Sequence, residues 1–235
     1  MALSPRWPTD AKLLQALRGQ IDVGLHVDWT SEFAITAGHG MTLPRTMLSA
    51  WLRQIKPVQA KTVIEQQLND FEKVWQAPPD FVDGHQHVHQ FPVIREALLQ
   101  LLAERYGSAS TRPYVRISQL PPLQADFKAR IIAAMGAEPL RRLTGLNGVP
   151  SAPALSGVYD FSDGPISYAQ RMNDWLRTSP EGTILMCHPA QSIEVHDSIG
   201  RARLTEYRYL AGAEFQKQLK SRGIQLVRGS RLYKA

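Results

Sequence analysis

Apolar positions along this chain switch between helical and alternating spacing. Leu13, Leu14 and Leu17 fall on one helical face, and Thr9 or Asp10 can cap a helix running to about Gln20. Ile21, Val23, Leu25 and Val27 occupy every second position and predict a strand. Gly38, Gly40 and Pro44 mark a long loop. Ile64, Leu68, Phe71 and Trp75 predict a helix from Val58 to Trp75, and Pro78-Pro79 stops it. Phe81-Val82 reads as a short buried strand. Pro92 to Tyr106 is predicted helical, with Gly107 at the C-terminal cap, and Tyr114 to Ile117 as a strand.

The second half continues the pattern. Helices are predicted over Ala125–Met135, stopped by Gly136, and over Ile166–Arg177. Residues 143–164, rich in Gly, Pro and Ser, read as a loop. Thr183–Met186 reads as a strand, Arg201–Arg222 as one long helix and Ile224–Val227 as the last strand. Strands alternating with helices imply βαβ units and a mostly parallel sheet. Right-handed crossovers leave an open doubly wound sheet or a barrel, and the missing glycine-rich dinucleotide fingerprint argues against a Rossmann fold. The expectation is one α/β domain over residues 1–235.

Composition narrows the class. The chain has 235 residues, 43% hydrophobic and 20% charged, enough for a sizeable core. No stretch approaches the ~20 apolar residues of a membrane span, and the first residues lack a signal-peptide apolar region. A cytoplasmic protein with no membrane partner is expected. The net charge of +6 is scattered, with only short clusters such as Arg141-Arg142, so no nucleic-acid partner is expected. Cys187 is the single cysteine, which excludes a disulfide framework. Its apolar neighbours predict a buried, inert thiol.

The candidate chemistry is histidine-based. Five of the seven histidines follow predicted strands: His26, then His85, His87 and His89 in Asp-Gly-His-Gln-His-Val-His, then His188. In parallel α/β folds the C-terminal strand ends share one face, which carries the site. Imidazole suits Zn²⁺ and similar ions and also serves as an acid or base. His26 and His85, from different strands, can share one ion. Asp83, two residues before His85, points to the same side of an extended segment. It is either a ligand or an acceptor that fixes an imidazole tautomer. His39 and His196 lie in predicted loops and read as surface residues. Three imidazoles in five residues are hard to explain by packing, because each neutral ring needs partners for two nitrogens. Trp29 and Tyr114 can stack on a sugar ring or belong to the core.

Several segments resemble one family. Gly24-Leu25-His26-Val27-Asp28-Trp29-Thr30 is similar to the Gly-Leu-His-Leu-x-Leu-Thr motif of YdjC-like proteins, which include chitooligosaccharide and hopanoid-biosynthesis-associated deacetylases. Asp83–His89 resembles that family's Asp-Ser-His-His-His-Val-His, with Gln86 replacing a histidine. Val115-Arg116, Met186-Cys187-His188-Pro189 and Arg203-Leu204-Thr205-Glu206 resemble its further motifs, in order, along nearly the whole chain. The resemblance implies a seven-stranded β/α barrel and removal of acetyl groups from N-acetylated sugars with a divalent metal, commonly Mg²⁺, with Zn²⁺ as the alternative ion. It implies His26 and His85 as ligands beside an Asp of the first strand. That Asp-Asp motif has no match here, so the first βα unit is expected to be missing, and with it a carboxylate ligand. A homodimer is compatible with the resemblance.

On this reading His188 is the acid for the leaving amine and Asp83 a second catalytic group. Trp29 and Arg116 contact substrate, and Arg203 and Glu206 support the site from behind, their alternative being a surface ion pair. Two other functions stay open: a metal-dependent amidase on a non-sugar substrate, and a degenerate, catalytically weak sugar-binding protein.

Overall fold

A computed structural model describes residues 1–108, 111–124, 126–162 and 165–233. The chain forms two compact units. The first comprises Met1–Ser118, Ile132–Ala152 and Arg228–Ala235, and the second Gln119–Ile131 and Pro153–Val227. Both are mixed α/β with parallel strands. Among the described residues the strands make one sheet of three and one of two. No helix among them is long and apolar enough to cross a membrane.

In the first unit, β1 (Leu25–Val27), β2 (Phe81–Gly84) and β3 (Tyr114–Val115) lie side by side in that order, all parallel. Leu25 and Val27 are buried while His26 between them is half-buried, the alternation a pleated strand imposes. The register sets His26 beside Asp83 and Val27 beside Gly84. Gly24 lets the strands meet: a Cβ there would lie 2.5 Å from the Phe81 ring and carbonyl oxygen. Helices Pro57–Trp75 and Ile94–Tyr106 pack together beside this sheet. They bury Ile64, Leu68, Phe71, Ile94, Leu98 and Leu102, as their spacing predicts.

Other expectations are corrected. The first helix is Trp7–Gln15; it buries Trp7 and Ala11 and leaves Leu13 72% exposed. The predicted glycine-rich loop holds two helices, Glu32–Thr36 and Leu43–Trp51. Ser31 caps the first by accepting from the Phe33 and Ala34 amides, and Pro44 sits in the first turn of the second, where no intrahelical amide donor is needed. Helix Ala137–Leu146 was not foreseen and takes in the first four residues of the predicted loop. Ile224–Val227 forms no strand, and Leu226 and Val227 are exposed. The C-terminal stretch instead clasps the first unit: Arg228 Nε and the Ser230 amide each donate to Asp22, both at 2.8 Å.

In the second unit β4 (Leu155–Ser156), unforeseen, pairs in parallel with β5 (Ile184–Leu185). Helix Phe127–Ala134 begins after Ala125, where the sequence starts it and which lies outside the described residues, as do residues 163–164 at the end of the predicted loop. Tyr159, Tyr168, Met172, Trp175, Phe215 and Leu219 make this unit's core. The predicted long helix is two, Gly200–Leu210 and Ala213–Ser221, divided at Gly212, whose backbone is extended (φ −82°, ψ 157°).

Candidate active site

The site of the first unit grows from the paired ends of β1 and β2. His26 Nδ1 lies 2.5 Å from Asp83 Oδ1. The other Asp83 oxygen accepts from Arg116 Nε at 2.8 Å. Burial alone would raise the Asp83 carboxyl; His26 and the Arg116 guanidinium outweigh it and hold the group far below the usual carboxylate range. Asp83 is thus the acceptor that fixes the tautomer of His26, with both oxygens engaged. Its bond to Nδ1 leaves Nε2 of His26 as the outward nitrogen.

Past Gly84 the chain leaves the strand for a 3₁₀ turn, His85–Gln90. Gln86 (φ 49°) and His87 (φ 63°) are both left-handed, which breaks the alternation that an extended reading assigns to the three histidines. His85 stays beside His26, with ring centroids 5.7 Å apart at 73°. Burial, then the neighbouring His26, lower its pKa. His87 and His89 turn inward. His87 Nδ1 accepts from Arg116 Nη1 at 3.1 Å and lies 2.8 Å from Ser118 Oγ. His89 Nε2 donates to the Arg116 carbonyl at 2.7 Å. Gly84 makes room, since a Cβ there would stand 2.9 Å from His89 Nδ1. Packing therefore places two of the three clustered imidazoles in the interior, although His89 Nδ1 has no hydrogen-bond partner there.

His89 gives a pH prediction. Burial, then Arg116, push its pKa down to about 3. An unfolded histidine takes up a proton below about pH 6.5, whereas folded His89 stays neutral until about pH 3, so its contribution to stability is lost as pH falls through that window. Between pH 7 and pH 5 the loss is about 2 kcal/mol. Urea unfolding at the two pH values checks this, and His89→Leu should flatten the dependence.

Arg116, expected to touch substrate, has a side chain only 6% exposed and is committed to Asp83, Gly84 and His87. Trp29 is 2% exposed and belongs to the apolar core, edge-on to His39. Tyr114 is buried too, stacked on Phe81. His39, expected on the surface, is half-buried; its Nε2 donates to the Asp28 carbonyl at 3.2 Å. Asp28 is fully buried, accepting from the Thr30 and Ser31 amides and the Ser31 hydroxyl. Sequence reasoning missed Ser118 and Gln67. The side-chain amide of Gln67 bonds both the N–H and the carbonyl of Asp28, at 2.9 and 3.0 Å. The available signal was a glutamine beside Leu68 in the apolar stripe of its helix.

The second unit holds the remaining candidates. His188 follows β5, and its peptide is gripped by side chains of helix Gly200–Leu210. Glu206, fully buried, accepts from the His188 amide through one oxygen and from Tyr159 Oη at 2.7 Å through the other. Burial pushes its carboxyl above the usual range. Arg203 Nη1 reaches the His188 carbonyl at 3.4 Å, and its Nε lies 2.8 Å from Asp197. The Phe161 ring packs edge-on against the His188 imidazole, 5.4 Å between centroids. Glu206 is therefore no surface ion pair. Tyr159 and Phe161 were not foreseen. Cys187 is exposed rather than buried.

The fit of a metal follows from the donors. His26 and His85 present two imidazoles on adjacent strand ends, chemistry that suits a divalent ion with affinity for nitrogen. Asp83 and Asp28, the neighbouring carboxylates, are engaged. Among the described residues no group of three or more His, Cys, Asp or Glu is placed to hold an ion. The chain thus offers a two-imidazole seat.

A family model described as YdjC-like protein matches residues 1–221. No curated protein matches the chain. Among solved structures, a crystal structure from Enterococcus faecalis, of a protein provisionally named for cellobiose-phosphate cleavage, superposes with a TM-score of 0.68 at 16% identity. The alignment covers 99% of this chain and 86% of that one, and at this identity the likeness concerns the fold alone.

Proposed function

Because the chain belongs to the YdjC-like family, we propose that it is a carbohydrate N-deacetylase, a hydrolase that removes acetyl groups from N-acetylated sugars with a divalent metal. Family membership supports a sugar-related hydrolase at the coarser level. The observation that carries the finer reading is the His26–Asp83 pair with His85 beside it on neighbouring strand ends.

An amide carbonyl resists neutral water, so the site must polarise it and deliver a proton to the amine that leaves. His26 and His85 would hold the ion, which would supply Lewis acidity toward the carbonyl oxygen. Asp83 acts through His26, orienting the ring, and does not touch the substrate. Arg116 keeps Asp83 ionised and in place. The match of Met186-Cys187-His188-Pro189 to the family's motif is what supports His188 as the acid for the leaving nitrogen. Glu206 and Arg203 position the His188 peptide from its two sides.

The test is acetate release. N-acetylglucosamine oligomers should yield acetate with the loaded chain, and a non-sugar acetamide should not. A phosphorylated N-acetyl disaccharide belongs in the panel, because the E. faecalis protein is named for a phosphorylated disaccharide. Hydrolysis of the simple amide alone would make the chain an amidase. Saturable sugar binding with no acetate would make it a binding protein.

A further inference from the structure

We infer that the His26–His85 seat selects a nitrogen-seeking divalent ion of the Zn²⁺ or Ni²⁺ kind and discriminates against Mg²⁺, and that it leaves open positions for oxygen atoms of a ligand. The inference rests on reading these two histidines as an ion seat, and it differs from the Mg²⁺ that the family resemblance implies.

Most donors around the two rings are already committed. Asp83 Oδ1 faces His26 Nδ1 at 2.5 Å and Oδ2 faces Arg116 Nε at 2.8 Å. Releasing either oxygen toward an ion would leave the buried Arg116 guanidinium or the Nδ1–H of His26 short of its acceptor. Asp28 is fully buried and takes two amide N–H groups at 3.0 Å each on one oxygen and the Ser31 hydroxyl on the other. Its carbonyl already accepts from Gln67 and His39. His87 and His89 are bound to Arg116 and Ser118 and face inward. Among the described residues, Nε2 of His26 and a ring nitrogen of His85 are left for an ion; His89 Nδ1 also lacks a hydrogen-bond partner but is fully buried against Gly84.

Mg²⁺ gains little from imidazole. It demands near-octahedral oxygen coordination and parts reluctantly with its waters, so a seat with no free carboxylate offers it almost nothing. Zn²⁺ and Ni²⁺ bind imidazole well, following both the ligand preference and the general affinity order. Two protein donors fill at most half of a tetrahedral shell. The open positions suit paired sugar hydroxyls or an amide carbonyl, so ion and ligand should bind cooperatively.

The experiment is calorimetric titration of the chelator-stripped full chain with ZnCl₂, NiCl₂ and MgCl₂, with folding checked by circular dichroism. We expect one saturable site for Zn²⁺ and for Ni²⁺ and no saturable Mg²⁺ uptake. His85→Gln and His26→Gln should each weaken Zn²⁺ binding by at least about tenfold. His85 has an independent role in the test, because among the described residues its side chain makes a ring contact and no hydrogen bond, so its substitution should leave the fold intact. His196→Gln, at an exposed histidine, should change nothing. Saturable Mg²⁺ uptake that His85→Gln abolishes would overturn the inference, because it would reveal an oxygen set assembled at this seat. Zn²⁺ uptake indifferent to both substitutions, or no uptake of any ion, would overturn it equally. The readout needs no turnover: Zn²⁺ uptake without acetate release would sink the substrate assignment and leave this inference standing.

Discussion

Replacing His188 by alanine is expected to lower deacetylation by about 10²–10⁴-fold while the chain stays folded and takes up its ion unchanged. The size is that of a lost general acid. An amine is a poor leaving group unless protonated, and no metal supplies that proton. The fold should survive because the second unit holds the His188 main chain, which the substitution leaves in place. Glu206 accepts from the His188 amide, Arg203 reaches its carbonyl, and Tyr159 steadies Glu206 from the core. The Phe161 ring packs edge-on against the imidazole and does not touch this main-chain support. Steady-state kinetics with isothermal titration of the ion separate the outcomes. Unchanged turnover would make His188 a bystander, and lost ion uptake would make it a ligand.

Arg116→Leu is expected to destabilise the chain by about 3–5 kcal/mol, the usual cost of leaving one member of a buried ion pair without its partner. The pair is well enclosed, with side chains 6% and 13% exposed for Arg116 and Asp83. The guanidinium also donates to His87 and to the Gly84 carbonyl, so its loss removes the support of the turn that carries His85. Urea denaturation reads the stability. Ion affinity should fall as well, because Asp83 would no longer be held where it orients His26. The double variant Asp83→Leu, Arg116→Leu discriminates. If the loss comes from an unpaired buried charge, removing both charges should recover much of the stability and none of the ion affinity. Equal instability in single and double variants would point to lost packing alone.

Local spacing was enough to place the helices that end at Trp75 and Tyr106 and the strands that hold His26, Asp83 and Tyr114, because a helix or strand buries one face and the apolar residues record which. It was enough to bring His26 and the Asp83–His85 segment to one rim, since parallel strands align their C-terminal edges, while the pairing of the two strands came from the fold. The same reasoning failed where backbone conformation or distant partners rule. The left-handed Gln86 and His87 send two histidines of the cluster inward, and nothing in an alternating pattern announces a break in alternation. Trp29 and Arg116 carry side chains that serve equally in a core or at a site, and only packing assigned them to the interior. Gly212 divides a segment whose polar and apolar residues suit one continuous helix. The sequence by itself thus determined the helices that end at Trp75 and Tyr106 and the strands around His26 and Tyr114, because those depend on neighbours a few positions away. Tertiary structure alone decided which donors remain free for chemistry, because the partners of Asp83 at His26 and Arg116 lie 57 and 33 residues off, and whether an oxygen is spent depends on what folding brings to it.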